Sequence, residues 1–257
     1  MTEITGNAAS GTPNWVDIGI PDLERAEEFY GAVFGWEFDE GSPETGRYTM
    51  CLLRGQPVAA IMPNPDPDAT AFWWNAYFAT DDCDGAAKRI VDAGGTVVME
   101  PMDVMDAGRL VMALDPQGGQ FGLWQGRAHT GTRFREEPGS ITWTELETPD
   151  SKAAAEFYGR VLERPVEPMD VPDFDYSTVN VDGKPVAGIW GRPDRSTSRW
   201  VTYFSVEDTD AAVLAATAAG GTVEKAAQDS PYGRFAVLQD PFGASLAVMV
   251  LPENPPT

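Results

Sequence analysis

The sequence predicts an α+β fold: four βαβββ modules, paired into two tandem domains. Three observations predict it. NWVDIGIPDLERAEEFYGAV (14–33) returns as TWTELETPDSKAAAEFYGRV (142–161) at an offset of 128, pairing Trp15 with Trp143, Asp17 with Glu145 and Phe29-Tyr30 with Phe157-Tyr158. AYFATDDCDGAAKRIVDAGGTV (76–97) returns as TYFSVEDTDAAVLAATAAGGTV (202–223) at an offset of 126. GRLVMALDPQGGQFGLW (108–124) returns as GRFAVLQDPFGASLAVM (233–249). Repeats of this length mark duplicated structural units. A residue kept in both copies speaks for the fold, and one that differs is free to serve a site.

The elements follow in order. Residues 1–12 read as a loose tail and 14–20 as an apolar strand. At Pro21-Asp22 the period changes: Asp22 suits an N-cap, and Leu23, Ala26, Phe29, Tyr30 and Val33 recur at helical spacing. Gly35 ends this helix. Trp36 opens a strand, and RYTMCLLRG (47–55) and VAAIM (58–62) pair through a Gly-Gln-Pro turn. PNPDPDAT (63–70) is a loop. Strand 73–80, a helix from Asp82 to Gly94-Gly95, and strands 96–99, 108–114 and 119–124 complete the second module.

The second half repeats the plan. It has strand 140–148, helix 150–162, strands near 164–168, 174–181 and 185–190, strand 199–206, helix 208–219, and strands 222–225, 233–239 and 244–250. The expected boundaries are a tail at 1–12, domain one at 13–126, a polar linker at 127–138, domain two at 139–251 and a tail at 252–257.

Each half of the 257 residues is large enough for its own core. The formal charge of −22 repels nucleic acid and anionic membranes, and no apolar run approaches the roughly 20 residues that span a bilayer. Such acidity keeps a protein soluble, and it also draws cationic small molecules. The opening MTEITGNAASGTPN lacks a basic n-region and an apolar core, so no signal peptide is expected and the location read is cytoplasmic. Cys51 and Cys83 read as reduced core thiols.

PDLERAEEFY (21–30), DPQGGQFGLW (115–124), PDSKAAAEFY (149–158) and DPFGASLAVM (240–249) resemble the vicinal oxygen chelate superfamily. This is the group of glyoxalase I, bleomycin-resistance proteins and extradiol dioxygenases. The resemblance covers about residues 13–251. The tandem layout and GTPNWVD (11–17) resemble the two-domain glyoxalase-like proteins of actinobacteria, which are linked to reactive-aldehyde detoxification or natural-product tailoring. The resemblance implies two glyoxalase-like domains whose curved mixed sheets enclose clefts. In metal-dependent relatives, oxygen atoms of the substrate chelate a divalent ion there.

The family's metal-ligand positions map onto Trp15 and Trp143, onto Gly122 and Ala247, and near Asn75 and Val201. Strands 47–55 and 58–62 hold no His, Asp, Glu or Gln, and the single histidine, His129, falls in the linker, where a solvated side chain is expected. No metal ligand and no cofactor are therefore expected.

Strand alternation puts Asp17 on the face of Trp15 and Glu145 on that of Trp143. One reading makes these carboxylates general acids or bases, raised in pKa beside an aromatic wall. The other has them bonding backbone or a surface arginine. Asn75, Tyr77, Gln120 and Trp124 are the further ligand-binding candidates in domain one. In domain two they are Tyr203, Ser205, Ser245 and Met249, with Trp190 as a further candidate. Arg109 and Arg234 are expected to pair with fold carboxylates such as Asp115 and Asp240.

The expected partner is a small organic ligand, aromatic or carbonyl-containing, for a monomer or homodimer. Three functions fit: a metal-independent binder; a metal-independent lyase, isomerase or tailoring enzyme with Asp17 or Glu145 as base; or an interaction module with vestigial clefts.

Overall fold

A computed structural model describes residues 3–252. The first module is β1 (Pro13–Ile20), α1 (Leu23–Phe34), β2 (Glu37–Asp39), β3 (Thr49–Leu53) and β4 (Gln56–Pro63). The second is β5 (Trp74–Ala79), α2 (Cys83–Asp92), β6 (Thr96–Val104), β7 (Gly108–Leu114) and β8 (Gln120–Gly126). The third is β9 (Ile141–Thr148), α3 (Ser151–Leu162), β10 (Val166–Pro168), β11 (Tyr176–Val181) and β12 (Lys184–Gly191). The fourth is β13 (Arg199–Ser205), α4 (Thr209–Ala218), β14 (Thr222–Ser230), β15 (Gly233–Gln239) and β16 (Ser245–Val250).

Each half forms one mixed eight-stranded sheet, ordered β2-β3-β4-β1-β5-β8-β7-β6 and β10-β11-β12-β9-β13-β16-β15-β14. β1 and β5 join the two modules antiparallel at the centre, as do β9 and β13. This makes the α+β tandem architecture expected from the repeats.

The helices start where the sequence places them. Asp22, Asp82, Asp150 and Asp208 each accept a backbone N–H of the first turn, which satisfies a donor the helix cannot satisfy itself. Gly35 ends α1 in the left-handed region at φ 68°. β6 and β14 run longer than expected, to Val104 and Ser230. They are sheet-edge strands crossed by bulges, so no clean alternation marks them.

Along β1, Val16, Ile18 and Ile20 join a core beneath the helices, while Trp15 and Asp17 point to the other, open face. The two large cores each draw on both halves of the chain. α1 packs on α4, α2 on α3 and β5 directly on β13, so the helix-bearing faces of the two sheets pack together and both open faces look outward.

Hydrogen bonds fasten this junction. The Tyr30 hydroxyl donates to Asp240 (2.8 Å), and the Tyr158 hydroxyl donates to Asp115 (3.0 Å). Arg25 donates to the Ala219 carbonyl that closes α4, where the helix dipole is negative.

Three expectations need correction. Residues 4–11 are not loose: Ile4 bonds Arg133, Gly11 bonds Ala79, and Arg164 of domain two donates to the Ser10 carbonyl. Arg109 pairs with Asp84 and Asp103, and Arg234 with Asp210 and Asp229, because Asp115 and Asp240 lie beyond the far ends of β7 and β15, out of reach, where they bond the tyrosines. His129 is not solvated. Its ring meets Trp15 edge-on (4.3 Å between centroids) and Trp124 (5.7 Å), and burial lowers its pKa to about 4. The expected tail at 252–257 lies, beyond Pro252, outside the described residues. Cys51 and Cys83 are both buried and free.

Removing the hydroxyl in Tyr30→Phe or Tyr158→Phe strands a buried carboxylate oxygen. Each is expected to cost about 1–3 kcal/mol of stability in urea denaturation, and an unchanged midpoint in both would refute the role given to the junction bonds.

Candidate functional site

The floor of each open face carries the same four-residue arrangement. In the first domain, Asp17 Oδ2 accepts from the hydroxyls of Tyr48 and Tyr77, both at 2.9 Å. Trp15 Nε1 donates in turn to the Tyr48 hydroxyl at 2.8 Å. In the second, Glu145 accepts from Tyr176 (2.7 Å) and Tyr203 (3.0 Å), and Trp143 Nε1 donates to Tyr176 at 3.0 Å. Neither acid bonds backbone or a surface arginine, so that sequence reading is corrected.

Strand geometry produces this arrangement. Trp15 and Asp17 alternate on β1, Asp17 is opposite Asn75 across β1–β5, and Trp15 is opposite Tyr77. Tyr203 is likewise opposite Trp143. The register therefore sets Tyr77 and Tyr203 beside the two tryptophans, where the family mapping had pointed near Asn75 and Val201.

Tyr48 and Tyr176 are not among the residues that the sequence reading offers; it takes strand 47–55 only for its lack of metal ligands. The signal was present: they share the offset of 128 with Trp15/Trp143 and Asp17/Glu145.

Burial is the main influence on both acids and raises both pKa values; tyrosine hydrogen bonds partly offset it. Glu145 reaches about 7. The tyrosines are pushed up, first by burial and then by the neighbouring carboxylate, so they remain donors. No salt bridge reaches Asp17 or Glu145 among the described residues.

Beyond this shared floor the clefts diverge. In the first, Trp73 Nε1 and Gln120 Nε2 donate to Asn75 Oδ1, and Asn75 Nδ2 donates to Asp17 Oδ1. A cavity of about 340 Å³ opens here, lined by Trp73, Asn75, Tyr77, Met99, Met112 and Gln120 among others. Trp124 joins Trp15 and Tyr77 in the aromatic cluster beside it.

In the second cleft, Glu147 takes three guanidinium groups: Arg192 (3.3 Å), Arg195 (2.8 Å) and Arg199 (2.7 Å). Trp190 is opposite Tyr176 across β11–β12, next to Phe174. Met249 packs with Tyr203 and Trp143. These candidates from the sequence thus lie in one of two clusters. Asp17, Trp15, Asn75, Tyr77, Gln120 and Trp124 meet in the first; Glu145, Trp143, Tyr203, Met249 and Trp190 gather in the second.

A divalent ion does not suit these donors. Trp15, Tyr77 and Gly122 line up across β1, β5 and β8, and Trp143, Tyr203 and Ala247 across β9, β13 and β16. None of the six supplies imidazole or carboxylate. Among the described residues no three His, Cys, Asp or Glu side chains converge on a shared point.

The fold and the paired clefts are those of the glyoxalase group. The model of the Glyoxalase/Bleomycin resistance protein/Dioxygenase superfamily matches residues 12–123, and that of the Glyoxalase-like domain matches 143–249. The chain belongs to this superfamily. It is 38% identical over 246 residues to the putative glyoxylase CFP32 of Mycobacterium tuberculosis, covering 93% of this chain and 94% of that one. It is 36% identical over 264 residues to the anthracycline biosynthesis protein DnrV of Streptomyces peucetius, covering 96% of each.

Among solved structures, a Mn(II)-bound glyoxalase from Novosphingobium aromaticivorans superposes with a TM-score of 0.66 at 16% identity, covering 96% of this chain and 86% of that one. The 2,3-dioxygenase LapB from Pseudomonas sp. KL28 gives 0.66 at 15%, covering 95% and 93%. At these identities the likeness speaks for the fold alone. No helix among the described residues is long and apolar enough to cross a membrane.

The folded protein holds the Glu145 proton more tightly than the unfolded chain does. Its contribution to stability is therefore full below the unfolded carboxyl pKa and lost as pH rises to about 7. Between pH 4.5 and 7.5, wild type is expected to lose up to about 3 kcal/mol relative to Glu145→Gln. Chemical denaturation at the two pH values reads this difference, and parallel profiles would show that Glu145 is not held neutral.

Proposed function

We propose that the protein binds a small planar organic ligand, aromatic or carbonyl-containing, in the first cleft, without a protein-held metal. One observation carries this reading. Asp17 is buried and has no salt bridge among the described residues, yet it accepts from Asn75 and Tyr77, which line a cavity walled also by Phe72, Trp73 and methionine side chains. Burying a carboxylate without a counter-ion is costly. A structural role alone would be met more cheaply by an apolar residue. Aromatic faces and adaptable thioethers suit a flat ligand, and the Asn75–Gln120 pair offers amides to its carbonyl or hydroxyl oxygens. The name of the anthracycline relative supports a polycyclic aromatic ligand.

A second reading is metal-independent lyase, isomerase or tailoring chemistry with Asp17 or Glu145 as general base. It is favoured by Glu145, whose pKa near 7 suits proton transfer at neutral pH. On this reading Asp17→Asn or Glu145→Gln abolishes turnover and leaves binding intact. Wild-type rates in both variants would sink it.

The binding reading is tested with 1,8-dihydroxyanthraquinone, followed by tryptophan fluorescence and by native mass spectrometry with and without EDTA. Saturable binding that survives EDTA is expected, weakened about tenfold by Trp73→Ala, the loss of one aromatic face. A divalent ion per domain, removed by EDTA together with binding, would overturn the proposal.

A further inference from the structure

The bulged edge strand of each domain sets two side chains over the open face. In β6 these are Val98 and Met99, which both line the first cavity. In β14 the bulge recurs at the matching place, and the two residues are Glu224 and Lys225. Where the first cleft has an apolar overhang, the second has an acid and a base.

Glu224 is committed: it accepts from Arg199 (2.8 Å) and from the Ser245 hydroxyl (2.7 Å). The three arginines are committed too, all to Glu147, with Arg192 also on Asp194 and Arg199 also on Glu224. Lys225 differs. Among the described residues it makes no salt bridge. Its ammonium instead rests 4.8 Å from the centroid of the Phe235 ring and 5.8 Å from that of Trp190. Ring faces position a cation without neutralising it. Lys225 also acts electrostatically on the Glu145 carboxyl without forming an ion pair with it.

We propose that the second cleft is a separate site for a planar aromatic carboxylate, with Lys225 as its anion-recognition residue. The carboxylate of the ligand meets the ammonium, and its ring lies against Trp190 and Phe235. The site rests on the reading that the open faces hold flat organic ligands, and adds that the two faces select opposite chemistry. The overall charge of −22 works against any anion, so a preference for one must come from this local cation.

The probes are salicylate and its uncharged analogue salicylamide, titrated into the full chain by calorimetry in 50 mM and 300 mM salt. At low salt, salicylate is expected to bind about tenfold more tightly than salicylamide. Added salt shrinks the difference, since the ammonium is half-exposed. Lys225→Met places the first cleft's own residue at this position and is expected to erase the preference; Lys225→Arg is expected to keep part of it. Thermal melting and anthraquinone binding at the first cleft report whether Lys225→Met remains folded. Equal affinity for the two probes, wild-type salicylate binding in Lys225→Met, or binding of neither probe would overturn the proposal. If the anthraquinone still binds in that case, the reading of the first cleft stands. If it also fails, both fall.

Discussion

Two hydrogen bonds from tyrosine to aspartate set the geometry on which the clefts depend. Asp115 uses Oδ1 to close its own hairpin turn, accepting from the backbone of Gln117 and Gly119, and uses Oδ2 to hold Tyr158 of the other domain. Asp240 does the same with Phe242, Ala244 and Tyr30. Each aspartate therefore ties a local turn to the opposite half. The hydroxyl comes from the Phe-Tyr pair of an amphipathic helix, so the helix can dock in only one rotation. With the helix-bearing faces of the two sheets packed together, the open faces are left to solvent. The motifs that mark the family in the sequence are thus the ones that join its domains.

This explains what the sequence made legible. The repeats reveal the modules, because motifs that hold a junction must be kept in both copies. Strand alternation places Asp17 with Trp15 and Glu145 with Trp143, because side-chain period on a strand is fixed. What stayed hidden depends on tertiary register. Tyr48 reaches Asp17 from the residue before β3, across β4, and no local pattern marks that reach. His129 looked like a linker residue, yet the chain returns it to the aromatic wall, where the Trp124 indole donates to its carbonyl. Arg109 and Arg234 sit at the opposite ends of β7 and β15 from Asp115 and Asp240, and the cross-strand register that brings Asp103 and Asp229 to them is not written in the motif.

The duplication also acts as a comparison within one molecule. Tryptophan, acid and two tyrosines occupy the floor of both clefts, in the same bonding order. Four positions keep their hydrogen bonds as a unit in both domains, since a buried acid is tolerable only when its lone pairs are met. That unit supplies a proton site in each domain, with the acid's environment tuned by what surrounds it.

The surroundings differ at one position after another. Gly19 stands where the second domain has Glu147, Met62 where it has Trp190, Trp73 where it has Arg199, and Met99 where it has Lys225. Gly19 pairs with Met62, Glu147 pairs with both Trp190 and Arg199, and Trp73 and Met99 line the same cavity as Gly19 and Met62, so the substitutions convert a whole rim and not scattered points. In the second cleft each added carboxylate arrives with guanidinium partners, which keeps the rim's charges compensated as they leave bulk water. In the first cleft no such pairs are needed, because apolar side chains line the same place and leave it hollow. The domains differ at the rims, where one cleft has become apolar and the other ionic.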